Sequence, residues 1–255
     1  LQYRCDHGHT GPGGIKVGKT TEKIRPKMKG QILVLNSGSS SLKFQLIEMP
    51  QERVICEGMA ERIGTEAAHL KIRTGGQAHK EDLGSATHKG ALERIAELLR
   101  DPSVGGIRSE KALAAVGHRV VHGGDRFSNT TEVNEEVKKQ IRELSRLAPL
   151  HNPPNLEGIL LAESLFPEAI QVAVFDTAFH QTIPLKARKY AIPNALFSDH
   201  GVQVYGFHGT SHKYVYEQIA SRMGKDARIV SLHLGNGCSA TAIRDGKSID
   251  HSLGF

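Results

Sequence analysis

Six short segments hold most of the side chains that could do chemistry. The first is Asn36-Ser37-Gly38-Ser39-Ser40-Ser41, with Lys43 two residues on. Glycine lets backbone approach an anion closely, successive N–H groups form an anion nest, and Lys43 adds charge. A surface loop shares this composition. The second, His233-Leu234-Gly235-Asn236-Gly237, repeats the same chemistry and also reads as a plain hairpin turn. In Gly117-His118-Arg119-Val120-Val121-His122-Gly123-Gly124, Arg119 follows an apolar run. That position suits two-pronged capture of a carboxylate or phosphate; a structural ion pair is the alternative. Pro149-Leu150-His151-Asn152-Pro153-Pro154 is a stiff segment that holds either a functional histidine or a satisfied loop histidine. Asp176 follows the apolar run Ile170 to Phe175. Carboxylates at strand ends of α/β folds face clefts and hold metals or nucleophiles; the alternative is a helix cap. Finally, Gly206-Phe207-His208-Gly209-Thr210-Ser211-His212 places His208 just ahead of a helix, where it can donate to a transferring phosphoryl group. Thr210 or Ser211 can cap that helix in the same arrangement.

The elements that must position these residues follow from periodicity. Gln31 to Leu35, Leu42 to Leu46, Arg53 to Ala60 and Leu70 to Arg73 read as strands. Ala91, Leu92, Ile95, Leu98 and Leu99 share one helical face that ends at Asp101-Pro102. Ala112 to Val121 and Ile170 to Phe175 read as buried strands. A helix marked by Val133, Val137, Ile141 and Leu144, stopped by Pro149, and a helix over Asn155 to Phe166 lie between them. Tyr214 to Met223 predicts a helix closed by Gly224. Arg228 to Leu234 and Cys238 to Ile243 predict two more strands, followed by an Asp245-Gly246 turn. This order predicts an α/β chain with mixed sheets.

Composition removes several classes. The chain has 255 residues, 38% hydrophobic and 24% charged, an ordinary folded balance. No apolar run reaches the roughly 20 residues that cross a bilayer, and three scattered cysteines suggest no disulfide framework, so the expected setting is the cytoplasm. The net charge of +6 is concentrated in Leu1 to Lys27, which holds six Lys/Arg against Asp6 and Glu22. We read this stretch as a basic leader outside the fold, and we expect no nucleic-acid partner. Its Gly13-x4-Gly18-Lys19-Thr20 has the form of a phosphate loop. It lacks the preceding buried strand, and Pro26 interrupts any helix after it, so it reads as a chance match. Cys5, His7 and His9 have no second ligand cluster to complete a metal site.

In order along the chain, these segments resemble the acetate kinase family, including the propionate kinases. The resemblance rests on Asn36 to Lys43, His118 to Gly124, Leu150 to Pro154, Phe175-Asp176-Thr177-Ala178-Phe179-His180, Tyr205 to His212, and His233 to Gly237 with Ser239-Ala240-Thr241-Ala242. It implies the duplicated fold of actin, sugar kinases and heat-shock ATPases. It also implies Mg²⁺-dependent phosphoryl transfer between ATP and acetate, and a homodimer at full length. By the same resemblance, Asn36 contacts metal and phosphate, while Ser39, Ser41 and Lys43 line the phosphate path. Arg119 binds the acetate carboxylate, and Val121, Leu150 and Phe207 hold its methyl group. Asp176 is the essential acid or metal partner, and His208 stabilises the transition state. His233, Leu234, Gly235, Asn236 and Gly237 form the ATP phosphate loop.

The strand–turn–strand unit occurs twice, at Gln31 to Ile47 and at Arg228 to Ile243. The expected division is therefore a leader over 1–27, a first α/β domain over 28–178 and the start of a nucleotide-binding domain over 179–255. A lone hairpin cannot bury a core, so the second domain is expected to be incomplete. The resemblance implies an adenosine site and a second catalytic arginine that are not among these 255 residues, so their activity is expected to be low. The competing readings are a propionate kinase and a non-catalytic anion or nucleotide binder of the same fold.

Overall fold

A computed structural model describes residues 29–254 apart from Gly105 and Arg108. The leader, with its phosphate-loop match and Cys5, lies outside the described residues. The described chain opens as an antiparallel meander of β1 (Gly30–Ser37), β2 (Ser41–Met49), β3 (Arg53–Glu61), β4 (Ala68–Thr74) and β5 (Gln77–Gly84). Strict alternation makes this possible. Leu33, Leu35, Leu42, Phe44 and Leu46 are buried on one face, while Lys43 and Val34 are exposed on the other. Gly58 sits where a Cβ would come within 2.4 Å of the Lys71 carbonyl and 2.6 Å of the Phe44 ring. β5 was not foreseen. Its Gln77-Ala78-His79-Lys80 stretch is exposed and carries no apolar alternation, as an edge strand can.

Helix α1 (His88–Arg100) starts where the Thr87 hydroxyl accepts from the Gly90 N–H, and it buries Leu92, Ile95 and Leu99. β6 (Leu113–Val120) then joins β1 in parallel. After the two-residue β7 (Thr131–Glu132) come α2 (Glu135–Leu144), α3 (Asn152–Leu165) and β8 (Ile170–Phe175), which lies parallel to β6. The large sheet runs in the order β5-β4-β3-β2-β1-β6-β8-β7. Helices α1 and α3 share a core with the meander; α2 and α3 share another with β6 and β8, centred on Ile141, Ile159 and Phe175. Asn134 caps α2 through Val137 N–H, and that helix ends at Leu144 rather than at Pro149. α3 begins at Asn152 and not Asn155. Pro153 and Pro154 occupy its first turn, where no N–H is required.

The remainder contains the short helices α4 (Leu185–Arg188) and α5 (Asn194–Ser198), then α6 (Gly209–Met223). A three-stranded antiparallel sheet follows, with β9 (Arg228–Leu234), β10 (Cys238–Arg244) and β11 (Lys247–His251) in the order β11-β10-β9. α6 packs on one face of this sheet. On the other face of β9, Val230, Leu232 and Leu234 stand exposed. No helix among the described residues is long and apolar enough to cross a membrane.

Candidate functional site

Parallel pairing of β1, β6 and β8 brings their C-terminal ends side by side, and a chemical side chain stands at or just past each end. Asp176 follows β8 and is 2% exposed. Arg119, near the end of β6, donates to Asp176 Oδ2 from Nε at 2.9 Å and from Nη2 at 2.6 Å, and from Nη1 to Asn36 Oδ1 at 3.3 Å. The ion-pair reading of Arg119 is therefore correct as far as it goes. A guanidinium has five N–H donors, so three engaged bonds leave two for a ligand. Asp176 is not a helix cap. The short 3-10 helix after it is flanked by Thr177, whose hydroxyl accepts from Gly123 N–H at 3.0 Å.

His208 reaches the same place from α6. Gly209 N–H donates to the Asp176 carbonyl at 2.9 Å, and a Cβ on Gly209 would lie 2.2 Å from that oxygen. This close junction leaves His208 as the residue before the helix, at φ 56° in the left-handed region. Neither Thr210 nor Ser211 caps α6, which begins at Gly209, earlier than Tyr214. The Thr210 hydroxyl instead points to Asp176 Oδ1 at 3.5 Å, and Ser211 Oγ lies 3.1 Å from His233 Nδ1.

A cavity of about 440 Å³ opens between these groups, lined by Arg119, Val121, Leu150, His151, Asp176, Phe207, His208, Gly237 and Leu253, with Leu147, Ala148 and Pro149. Three apolar residues named from the sequence thus meet the charged pair and His208 in one place. Leu150 stands at the rim, 73% exposed. The second glycine turn is also adjacent: His233 stacks on His208 with ring centroids 4.1 Å apart, and Gly237 faces the His208 ring. Leu234 is exposed at 79% and the Gly235-Asn236 tip is exposed too.

The first turn is less closely joined to this cavity. Ser39 is exposed at the β1–β2 turn and Ser41 half-buried, and the Gly38 N–H is engaged by the Ser41 carbonyl. Lys43 lines a different concavity of about 670 Å³, on the open face of the large sheet, where Asn36 also shows. Asn36 is the link between the two.

Sequence reasoning missed two asparagines and a set of histidines. Asn155 accepts from Val121 N–H at 3.0 Å and donates to the Ser37 carbonyl at 2.6 Å, so α3 ties the ends of β1 and β6 together. Asn152 does the same for His122, accepting from its N–H and donating to its carbonyl. Ser37 is buried against Gly158, where a Cβ would approach its Oγ to 2.4 Å. The stiff segment Pro149 to Pro154, which contains Asn152 and directly precedes Asn155, offered the only signal. Behind His208 lie His180, His212 and His251. Burial, reinforced by neighbouring histidines, pushes His180 down to about 3 and His212 and His251 to about 4. Burial alone pushes His122 down to about 4; its Nε2 is the one buried side-chain polar atom without a partner among the described residues. Burial and His233 lower His208 as well.

The sequence matches the acetokinase family over residues 31–255. The chain belongs to that family. Curated relatives include the acetate kinase of Flavobacterium johnsoniae, 56% identical over 225 residues, and that of Thermotoga maritima, 51% identical over 228. Each alignment covers 88% of this chain and 57% of the relative, so the chain spans little more than half the length of the acetokinases it matches. Among solved structures, a propionate kinase from Francisella tularensis superposes with a TM-score of 0.83 at 43% identity, covering 89% of this chain and 58% of that one. The Porphyromonas gingivalis acetate kinase gives 0.83 at 44% identity, covering 88% and 57%. The α/β fold expected from the sequence is therefore the acetokinase fold.

Proposed function

We propose that this chain carries the acyl side of an acetate kinase site, for reversible phosphoryl transfer between ATP and acetate that yields acetyl phosphate and ADP. The observation that carries the reading is the meeting of Arg119, Asp176 and His208 with Val121, Leu150 and Phe207 around one cavity. A carboxylate docks on the two open N–H groups of Arg119, with its methyl group against Val121 and Phe207. Its outer oxygen then attacks the terminal phosphorus of ATP while the bond to the ADP oxygen breaks. Transfer of this kind needs positioning and charge neutralisation rather than covalent help from the protein. His208 donates to the phosphoryl oxygens as they swing between partners.

The residues present fit Mg²⁺. Asp176 Oδ1 has only the long Thr210 contact, and Asn36 supplies a neutral oxygen, a hard donor set of the kind that takes the ion together with substrate phosphates. Among the described residues no group of three or more His, Cys, Asp or Glu forms an all-protein cage. Mg²⁺ would neutralise the phosphate charge here, held by Asp176 and Asn36. His233 to Gly237 serve as the nucleotide phosphate loop, with Ser39, Ser41 and Lys43 along the phosphate path. The reading divides the chain into an acetate-side unit, 28–178, and a nucleotide-side unit, 179–255.

Propionate is the second substrate reading, favoured by the equal superposition on a propionate kinase. One methylene in an apolar pocket shifts preference only ~10–200-fold. The test is a titration of the 255-residue chain with acetate and with propionate, followed through the Val121 methyl and Phe207 ring signals by NMR. Saturable shifts that vanish in Arg119→Ala are expected. Shifts absent in the wild type at every concentration, or unchanged in Arg119→Ala, defeat the reading.

A further inference from the structure

Five histidines, His180, His208, His212, His233 and His251, crowd between α6 and the second sheet, and their hydrogen bonds differ in kind. Phe207 fixes two of them through its backbone. Its carbonyl can only accept, so His180 Nε2, 2.9 Å away, carries a proton, and His180 Nδ1 accepts from the Ser248 hydroxyl. The Phe207 N–H can only donate, so His251 Nε2 accepts at 2.9 Å and Nδ1 carries the proton toward Thr241 Oγ1.

His208 and His212 have no such backbone anchor. Ser239 Oγ lies 2.9 Å from His208 Nδ1 and 2.9 Å from His212 Nε2, and Ser231 Oγ lies 2.9 Å from His212 Nδ1. Ser231, Ser239 and His212 are buried. A hydroxyl has one proton, so Ser239 can donate to only one of the two rings and must accept from the other. With both rings neutral, two arrangements satisfy every bond. In one, Ser231 donates to His212, His212 to Ser239, and Ser239 to His208 Nδ1, which leaves the His208 proton on Nε2. In the other every donor is reversed, and His208 Nε2 is a bare lone pair. The Nδ1 side is tied to Ser239, and the ring stands at the cavity lined by Arg119 and Asp176. Only the first arrangement gives His208 an N–H free of Ser239 to offer an anion there.

We propose that Ser239 and His212 are positioning residues for His208: the chain Ser231–His212–Ser239–His208 sets its tautomer, and an anion in the cavity selects the arrangement with the proton on Nε2. This rests on the phosphoryl-transfer reading for its purpose but not for its test. Burial keeps His208 and His212 neutral near pH 7, which is why tautomer rather than charge decides what His208 can donate.

The experiment is ¹⁵N-histidine NMR of the 255-residue chain, which reads each ring's tautomer from its two nitrogen shifts. In the wild type, inorganic phosphate should move His208 and His212 together toward the Nε2–H form. In Ser239→Ala the two rings should part, with His212 no longer following His208, and Ser239→Thr, which keeps the hydroxyl, should restore the joint response. His180 and His251, fixed by Phe207, serve as reporters of native packing in each variant. Wild-type His208 moving while His212 stays still overturns the proposal. So does an unchanged joint tautomer in Ser239→Ala with the His180 and His251 signals intact. If phosphate moves neither ring, the phosphoryl reading fails; the chain then stands or falls on whether Ser239→Ala alters the resting tautomers of both rings.

Discussion

Asp176 is buried and Arg119 is its ion partner, with the Arg119 side chain 37% exposed. The two sides of this pair are therefore unequal. Arg119→Ala leaves a carboxylate stranded in the interior, and breaking a buried pair from that side costs about 3 kcal/mol or more. We expect a fall of that size in urea unfolding free energy, together with loss of acetate binding. Arg119→Lys restores the charge but not the planar fork, so it should recover much of the stability and little of the binding. The buried histidines set the acid limit. His180, His212, His251 and His122 are held neutral, with values near 3 to 4 against about 6.5 in the unfolded chain. The unfolded state then binds more protons between those values. Their contribution is complete above about pH 6.5 and is lost as pH falls toward 4, on the order of 2 kcal/mol per histidine at pH 5 as an upper bound. Urea midpoints at pH 7 and pH 5 check this, and His180→Gln should flatten the difference.

At the scale of elements, the site depends on two close approaches that admit almost no change. Gly209 brings α6 against the Asp176 carbonyl with no room for a Cβ. Gly209→Ala must push the helix start away, and overpacking of this kind costs about 3 kcal/mol. A lower Tm, with the His208 NMR signals displaced, is the expected outcome; an unchanged Tm would show that the junction gives. Asn155 clamps β1 to β6 through Ser37 and Val121. Asn155→Leu keeps the branched side-chain shape but strands a backbone carbonyl and an N–H, at roughly 1–3 kcal/mol each. Chemical denaturation should show a loss on the order of 2–6 kcal/mol, the two together, and Asn155→Asp, which sets a buried carboxylate against the Ser37 carbonyl, should lose no less. Much of the element pattern was legible beforehand. β8 and β9 match their sequence readings residue for residue, because apolar runs bounded by charge or glycine leave little choice. β5 was hidden because an edge strand needs no buried side chains. The start of α6 was hidden because its first turn is chosen by contact with Asp176, not by an apolar stripe.

At the scale of the whole molecule, the two sheets are finished to different degrees. The large sheet has α1, α2 and α3 on one face, while Val230, Leu232 and Leu234 leave a row of exposed apolar side chains on the edge strand β9. Such a row on a sheet edge binds other apolar surfaces, including other copies. We expect the 255-residue chain to bind ANS and to associate as its concentration rises. Leu232→Lys should reduce both without lowering Tm, since Leu232 is 61% exposed. Light scattering and ANS fluorescence provide the measurement, and an unchanged association after that substitution would place the sticky surface elsewhere.

The sequence by itself determined the reactive groups and most of the elements that carry them. Asn36, Arg119, Asp176 and His208 sit next to apolar runs whose periodicity marks strand or helix, and their chemistry can be read from type and position. Only the tertiary structure decided which of them meet. Asn36 and Arg119 lie 83 positions apart and Arg119 and Asp176 lie 57 apart. Parallel pairing of β1, β6 and β8 joins them, and such pairing is set by helix crossovers rather than by any local signal. The same holds for the histidines behind the site. Ser239 links His208 to His212 through single hydroxyl bonds, which leave no period, spacing or composition in the chain to announce them.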